Sequence, residues 1–217
     1  MLLRDNIYGF LRSDILSCRL PPGGEIRESE LAERYEVSRQ PVREALLRLE
    51  REHLVTVSPR QGYRVNPISL SDARDLLRFR LAVEPACVSE AIESASDAAL
   101  RELDQFRTFV GSADSFIDYN REFHTALANA SGNRRMAAAA RDLIEQADRL
   151  VRVSIANVKG GRDHMQLVGE HVDLIDAMQR RDVRGAGRII KAHIQQTEKR
   201  VLPALARNGI IIDGRGA

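Results

Sequence analysis

The sequence predicts a mainly α protein in two parts. Residues 1–67 read as three helices followed by a β-hairpin, and residues 68–217 as an all-α, antiparallel helical bundle. Three observations predict this. Apolar residues recur at helical spacing through most of the chain. Two short β-prone runs, His53–Val57 and Tyr63–Asn66, flank a turn segment. Pro67 then separates that hairpin from a remainder with no strand signal.

The elements follow in order. Residues 5–19 form a helix whose apolar face is Ile7, Phe10, Leu11, Ile15 and Leu16, stopped by Pro21-Pro22-Gly23-Gly24. Ser29 reads as the N-cap of a short second helix through Tyr35, with Leu31 and Ala32 inward. Ser38 reads as the N-cap of a third, running to Glu52 with Val42, Ala45, Leu46 and Leu49 inward. Pro41 falls in its first turn, where a missing N–H breaks no helical bond. Ser58–Gly62 is the hairpin tip, with Gly62 supplying the turn conformation. Beyond Pro67, Ser69-x-x-Asp72 has capping-box spacing. Helices are expected near 69–93, 96–111, 114–130, 133–157, 164–180 and 183–206. Ser131-Gly132-Asn133 and Lys159-Gly160-Gly161 are connectors, and Asp182 is a cap. Pro203 is expected to kink or end the last helix, and the tail from Asn208 to fray.

Composition narrows the function classes. With 217 residues the chain allows one or two domains, and 43% apolar residues suffice for a core. No run of about 18 apolar residues exists, so no membrane span is expected, and Met-Leu-Leu-Arg-Asp-Asn lacks the order of a secretory signal. Two cysteines, Cys18 and Cys87, make neither a disulfide framework nor a cysteine-rich zinc site. A cytoplasmic protein is the expectation. The net charge of +2 does not announce a nucleic-acid binder, but the 33 basic residues include only Lys159, Lys191 and Lys199 as lysine, leaving 30 arginines. Arginine offers a planar fork of donors for phosphates and guanine edges. A GC-rich genome produces the same bias, so it decides nothing alone.

A short helix, a tight turn and a longer helix is the helix-turn-helix plan, whose second helix lies in the major groove. Arg39 and Arg43 are four apart and share one face, with Gln40 beside it. Either arginine can grip guanine O6 and N7, and Gln40 can read adenine. Ser38 and the helix N-terminus suit a phosphate, and the wing tip, with Arg60 and Gly62, can border the minor groove. An ordinary amphipathic helix with solvated arginines is the plain alternative. The helix lengths, the polar triplet Ser38-Arg39-Gln40 and the basic hairpin tip together favour the DNA reading. The segment Pro21-Pro22-Gly23 … Glu30-Leu31-Ala32 … Val37-Ser38-Arg39-Gln40-Pro41-Val42-Arg43-Glu44-Ala45-Leu46 … Leu49 … Gly62-Tyr63 resembles the winged helix-turn-helix of the GntR family of bacterial transcription regulators. The resemblance implies that Ser38, Arg39, Gln40, Arg43 and Gly62 lie at double-stranded operator DNA. Cys18 departs from it, because the family commonly has glycine there.

In the second part four polar residues stand out. Asn120 and His124 share a helix face, while His171 and His193 lie on later helices, and a bundle interior can converge such ligands on one ion. Imidazole suits zinc, nickel, copper or iron. A histidine on a helix is as readily a surface or satisfied core residue, so spacing leaves both readings open. His164 lies seven residues before His171, roughly 10 Å of rise, so the two do not share an ion. His53 belongs to the first part.

Leu77-Arg78-Phe79-Arg80-Leu81-Ala82-Val83-Glu84-Pro85, Asn120-Arg121-Glu122-Phe123-His124, Ala130-Ser131-Gly132-Asn133, Glu170-His171 and Ala192-His193-Ile194 resemble, in order and spacing, the FCD effector domain of the FadR subgroup. Six helices are similar to its smaller, VanR-type version. The resemblance implies a divalent metal, zinc first with nickel, manganese or iron as substitutes, held by Asn120, His124, His171 and His193 beneath a small-molecule pocket. Many relatives carry aspartate at Asn120. Asp118, roughly 120° away around the helix, does not replace it. An all-neutral ligand set leaves the ion's charge uncompensated, which weakens retention or attracts an anionic ligand. A carboxylate effector on the metal, with Arg80 as second anchor and Arg149 and Arg152 as lesser ones, is therefore expected. The whole reads as a homodimeric, metabolite-responsive transcription regulator, a repressor by the family's commoner habit, and not an enzyme. Two rivals remain: a metal-dependent enzyme using the open coordination position, and a dimerisation module with satisfied histidines.

Overall fold

The computed structural model describes residues 6–58, 62–155 and 164–207, and they fall in two compact units that part after Ser69. The first holds α1 (Ile7–Leu16), β1 (Glu25–Ile26), α2 (Glu28–Arg34), α3 (Arg39–Arg51), β2 (Val55–Ser58) and β3 (Gly62–Val65). Ile7, Leu11, Ile15 and Leu16 of α1 share one core with Leu31 and Ala32 of α2 and with Val42, Ala45, Leu46 and Leu49 of α3. Burying each large aliphatic side chain contributes about 1.5–3 kcal/mol. Phe10 is the exception to the expected face: it is 40% exposed and stacks on Tyr35 with centroids 6.2 Å apart.

The sheet is antiparallel in the order β1-β3-β2, with Ile26 and Val57 both opposite Tyr63 and Val55 opposite Val65. β1 was not expected, because two residues carry no periodic signal. α2 begins at Glu28 rather than after Ser29, and its cap position is Arg27, which makes no side-chain cap bond. Glu28 and Glu30 in the first turn suit the positive end of the helix dipole instead. Ser38 does occupy the N-cap of α3, though its side chain makes no cap hydrogen bond. Asp14 is buried and ties the unit together: it accepts from Arg19 Nε at 2.6 Å and from the Tyr35 hydroxyl at 2.5 Å, with Arg34 at 3.0 Å. A buried carboxylate persists only when matched in this way.

The second unit holds α4 (Leu70–Ser94), α5 (Asp97–Arg101), α6 (Ala113–Ala130), α7 (Arg134–Ile155), α8 (His164–Gln179) and α9 (Val183–Arg207). α4 packs along α9 and α7, α6 against α7 and α4, and α8 against α9. The single helix expected over 96–111 is instead α5 followed by a 3-10 turn over Glu102–Phe106. Leu100, Leu103 and Phe106 are all buried, and a strict three-residue repeat faces one side only in a helix of three residues per turn. α9 runs through Pro203 to Arg207. Val201, Ala204 and Leu205 are buried around it, so packing outweighs the roughly 3 kcal/mol a proline costs a helix interior. Asn133 caps α7, its Oδ1 accepting from the N–H groups of Arg135 and Met136 at 3.2 Å each. The Lys159–Gly161 connector, the last turn expected for α7 and the tail from Asn208 lie outside the described residues. No helix among the described residues is long and apolar enough to cross a membrane.

Among the described residues, four helices are followed by a non-glycine residue with left-handed backbone: Cys18 (φ 59°), Glu36 (53°), His53 (57°) and Arg181 (58°). Three of these ends close with a bond from the next N–H: Val37 to Ala32 O at 2.9 Å, Leu54 to Leu49 O at 3.0 Å and Asp182 to Ala177 O at 2.9 Å. Gly62 differs in kind. Its φ is +104° and an added Cβ would lie 2.6 Å from the Ile26 carbonyl oxygen, so β1 and β3 approach there only because the side chain is absent. Gly62→Ala is therefore expected to cost at least about 1–2 kcal/mol. Cys18→Gly, which relieves left-handed strain, is expected to gain about 0.5–1 kcal/mol. Thermal unfolding of the two variants checks the pair, and a midpoint unmoved by Gly62→Ala contradicts the first expectation.

Candidate DNA interface and metal centre

The helix-turn-helix is α2, the turn Tyr35–Ser38 and α3. Val42, Ala45, Leu46 and Leu49 face the core, which leaves Ser38, Arg39, Gln40 and Arg43 exposed. The exposed residues are not equivalent. Gln40 donates to Glu44 at 2.8 Å. Arg43 donates Nε and Nη2 to the two oxygens of Glu28, at 2.9 and 2.8 Å. That pair holds Glu28 below the usual carboxylate range, and Arg39 adds to the effect. Gly62 has the backbone reason given above, independent of DNA, and Arg60 lies outside the described residues.

In the second unit, α6, α8 and α9 bring His124, His171 and His193 together, with one ligand atom from each within 4.8 Å of the others. All three are buried. Each ring is held from behind at Nδ1. His124 Nδ1 lies 2.6 Å from Glu84 on α4, His193 Nδ1 2.7 Å from Glu170 on α8, and His171 Nδ1 3.2 Å from the Tyr119 hydroxyl on α6. Tyr119 donates its own proton to the Phe106 carbonyl at 2.6 Å, so His171 is the donor of that pair. Phe123 stacks on the His171 ring at 3.9 Å. With every Nδ1 carrying its proton outward, every Nε2 presents a lone pair inward. The Nε2 atoms of His124 and His193 stand 3.2 Å apart, and His171 Nε2 is buried without a hydrogen-bond partner.

Two facing lone pairs and an orphaned third are unfavourable for protein alone and suited to a cation. Two nitrogens each about 2.0–2.1 Å from a tetrahedral zinc lie roughly 3.3 Å apart. The donor set therefore fits a divalent metal. It also corrects the expectation of an uncompensated charge, because Glu84 and Glu170 place two carboxylates directly behind the imidazoles, an arrangement that raises ligand basicity. Burial alone would push Glu84 up, but Arg80, whose Nε lies 2.5 Å away, and His124 outweigh it and hold it ionised. Burial holds His124 and His171 below the usual imidazole value, hence neutral and ready to ligate.

The other expected residues fall as follows. Asn120 sits half-buried one turn before His124. Asp118 is half exposed and paired with Arg121 at 2.8 Å and Arg152 at 3.2 Å, outside the cluster. Arg80 is 4% exposed and committed to Glu84. Arg149 is buried rather than on a solvated face. The partners Glu84, Glu170 and Tyr119 were not assigned from sequence. Arg80-to-Glu84 spacing was a visible signal for one of them, whereas Glu170 adjoins His171 yet serves His193.

The model of the family described as "Bacterial regulatory proteins, gntR family" matches residues 3–65, and that described as "FCD domain" matches residues 75–196. The chain belongs to the GntR family. It is 28% identical over 205 residues to the HTH-type transcriptional repressor RspR of Escherichia coli strain K12, covering 92% of this chain and 89% of that one. To the HTH-type transcriptional repressor GlaR of the same strain it is 27% identical over 215 residues, covering 93% and 96%. To the HTH-type transcriptional regulator BphR of Paraburkholderia xenovorans strain LB400 it is 30% identical over 199 residues, covering 86% and 80%. Among solved structures, E. coli McbR/YncC has a TM-score of 0.77 at 22% identity, covering 90% of this chain and 95% of its own, which establishes the shared fold. This GntR-family protein is a DNA-binding transcriptional regulator, and the enzyme reading is set aside because its family and relatives regulate transcription.

The neutral, buried His124 and His171 give metal-free protein a defined pH response. Their folded pKa values lie below the unfolded value of about 6.5, so the unfolded chain binds more protons below that pH and stability falls on acidification. Each histidine contributes a loss of about 1 kcal/mol between pH 6.5 and 5.5. Asp148, which burial raises to about 6, opposes this by gaining a proton in the folded state first. The unfolding midpoint of chelator-stripped protein is expected to be lower at pH 5.5 than at pH 7, and the opposite order would contradict the neutral assignment.

Proposed function

We propose that this GntR-family regulator is a cytoplasmic, homodimeric repressor whose grip on operator DNA is controlled by a small organic acid bound at a divalent metal in the helical domain. The observation that carries the reading is the convergence of three outward-protonated imidazoles around an orphaned Nε2. His124, His171 and His193 would hold the ion, with Asn120 as a weaker fourth ligand. An all-nitrogen cluster with outer carboxylates favours zinc, and nickel, manganese or iron are substitutes. The metal would supply an electropositive centre for a carboxylate. Arg80 offers a second anchor through its Nη groups, since Glu84 takes Nε, and Arg149 and Arg152 are secondary candidates. RspR and GlaR, to which the chain is similar, are transcriptional repressors, which supports the sign of regulation.

At the other end, Ser38 would meet a phosphate, and Arg39, Gln40 and Arg43 the base edges, with Arg60 and Gly62 at the wing. Two copies on a pseudo-palindrome join two half-site contacts into one tighter one. An effector shifts operator affinity only as far as it distinguishes the DNA-bound arrangement from the free one.

Protein purified without chelator is expected to contain close to one divalent metal per chain. His171→Ala should lose that metal and the response to organic acids while leaving DNA binding by the metal-free protein largely intact. Organic acids titrated with and without chelator should bind far more weakly once the metal is gone, and equal affinity in both would end the metal-bridged version. Arg39→Ala and Arg43→Ala should each cost about 1–3 kcal/mol on a specific duplex and relax base preference locally. A loss of equal size on scrambled DNA would mean phosphate contact instead.

A further inference from the structure

Glu28 is the first residue of α2, and nothing in the expected DNA face included it. Its carboxylate is 18% exposed and makes a fork-to-fork pair with Arg43, whose side chain is 54% exposed. The Tyr63 hydroxyl on β3 reaches the same Glu28 oxygen at 3.4 Å. Glu28 therefore joins the start of α2, the exposed face of α3 and the wing through one side chain. A lone surface ion pair is worth little to stability, about 0–1 kcal/mol, so stability alone is a thin reason for this geometry.

Guanidinium has five N–H donors in one plane. Glu28 takes the Nε–Nη2 edge and leaves three donors, and one Nη1 hydrogen with the second Nη2 hydrogen forms a two-donor edge of the kind that reads guanine O6 and N7. The pair also cancels the charge of Arg43 toward distant groups. An arginine with a free charge gains affinity from any phosphate, which carries no sequence information.

We propose that Glu28 is the positioning residue for Arg43: it fixes the guanidinium so that its free edge addresses a base, and it suppresses non-specific attraction to the phosphate backbone. Glu28 in this role sets the ratio of specific to non-specific binding rather than raw affinity. The inference rests on the reading of Arg43 as a base-contacting residue.

The test uses the full-length protein, a duplex selected from a randomised library by the wild type, and a scrambled duplex of the same composition. Wild type, Glu28→Ala, Glu28→Gln, Arg43→Ala and the Glu28→Ala/Arg43→Ala double variant are compared across a salt series. Glu28→Ala is expected to bind scrambled DNA a few-fold more tightly, to steepen the salt slope by about one, and to lower the selected-to-scrambled ratio roughly tenfold. Glu28→Gln, which keeps an acceptor but loses the charge, should match the change in slope with a smaller fall in ratio. It also serves if Glu28→Ala fails to fold. Both effects should vanish in the Arg43→Ala background. A ratio within twofold of wild type in both Glu28 variants, while Arg43→Ala is impaired on the selected duplex, overturns the positioning role and leaves the base contact standing. An Arg43→Ala variant with wild-type affinity and base preference overturns both.

Discussion

The helical domain depends on how three imidazoles are held from behind. A buried histidine has two nitrogens to satisfy, and here the protein satisfies only the outer one, through Glu84, Glu170 and Tyr119. That choice fixes the tautomer of each ring and turns three lone pairs toward one point. Leaving such groups desolvated costs about 1–3 kcal/mol each, so the interior of α6, α8 and α9 carries a built-in deficit that a bound cation would remove. The arrangement explains features that otherwise look unrelated: the flat packing of Phe123 on His171, the hydroxyl of Tyr119 relayed to the Phe106 carbonyl, and the buried Arg80–Glu84 pair one step behind His124.

The same device recurs in the DNA-binding unit with the charges exchanged. There, under the proposed function, Glu28 holds a cation for an outside ligand, whereas in the bundle carboxylates hold neutral donors for an inside one. In both, the working residue is conspicuous in the sequence and its orienting partner is not. Arg43 stands in a recognisable recognition helix and His124 in a recognisable helix face. Glu28 and Glu84 lie on other elements, and only tertiary structure says which of 31 acidic residues meets which base.

The legible parts of the fold were those with local causes. The inward faces of α2 and α3 followed from helical spacing, and Ser38 marked the start of α3. What escaped had non-local or degenerate causes. The stop signal Pro21-Pro22-Gly23-Gly24 places the end of α1 near residue 19, yet the helix ends at Leu16 and the backbone turns left-handed at Cys18. The two-residue β1 exists only because β3 pairs with it. The break after Arg101 reflects a three-residue burial repeat that a periodicity reading absorbs into an ordinary helix. Pro203 carries a local stop signal, yet α9 continues through it to Arg207. Phe10 is apolar and at core spacing, but Tyr35 gives it a partner outside the core.

Under the proposed function, the energetics constrain which residues can transmit the signal. Moving a two-state equilibrium from 1:99 to 99:1 takes about 5.5 kcal/mol of differential binding, or roughly half of that from each of two effectors on a dimer. An acid that merely completes the coordination of a rigid site binds both arrangements equally and shifts nothing. The discrimination has to come from a contact that exists in one arrangement only. Arg80 is the residue where that condition is met most directly, because any carboxylate that recruits its guanidinium competes with Glu84 for the same positive charge. Glu84 in turn holds His124. A ligand drawing on Arg80 therefore perturbs a pair within α4 and a contact between α4 and α6 at once. A ligand bound to the metal alone leaves both in place, so the two anchors are not interchangeable: one gives affinity, and the other gives the difference in affinity on which regulation depends.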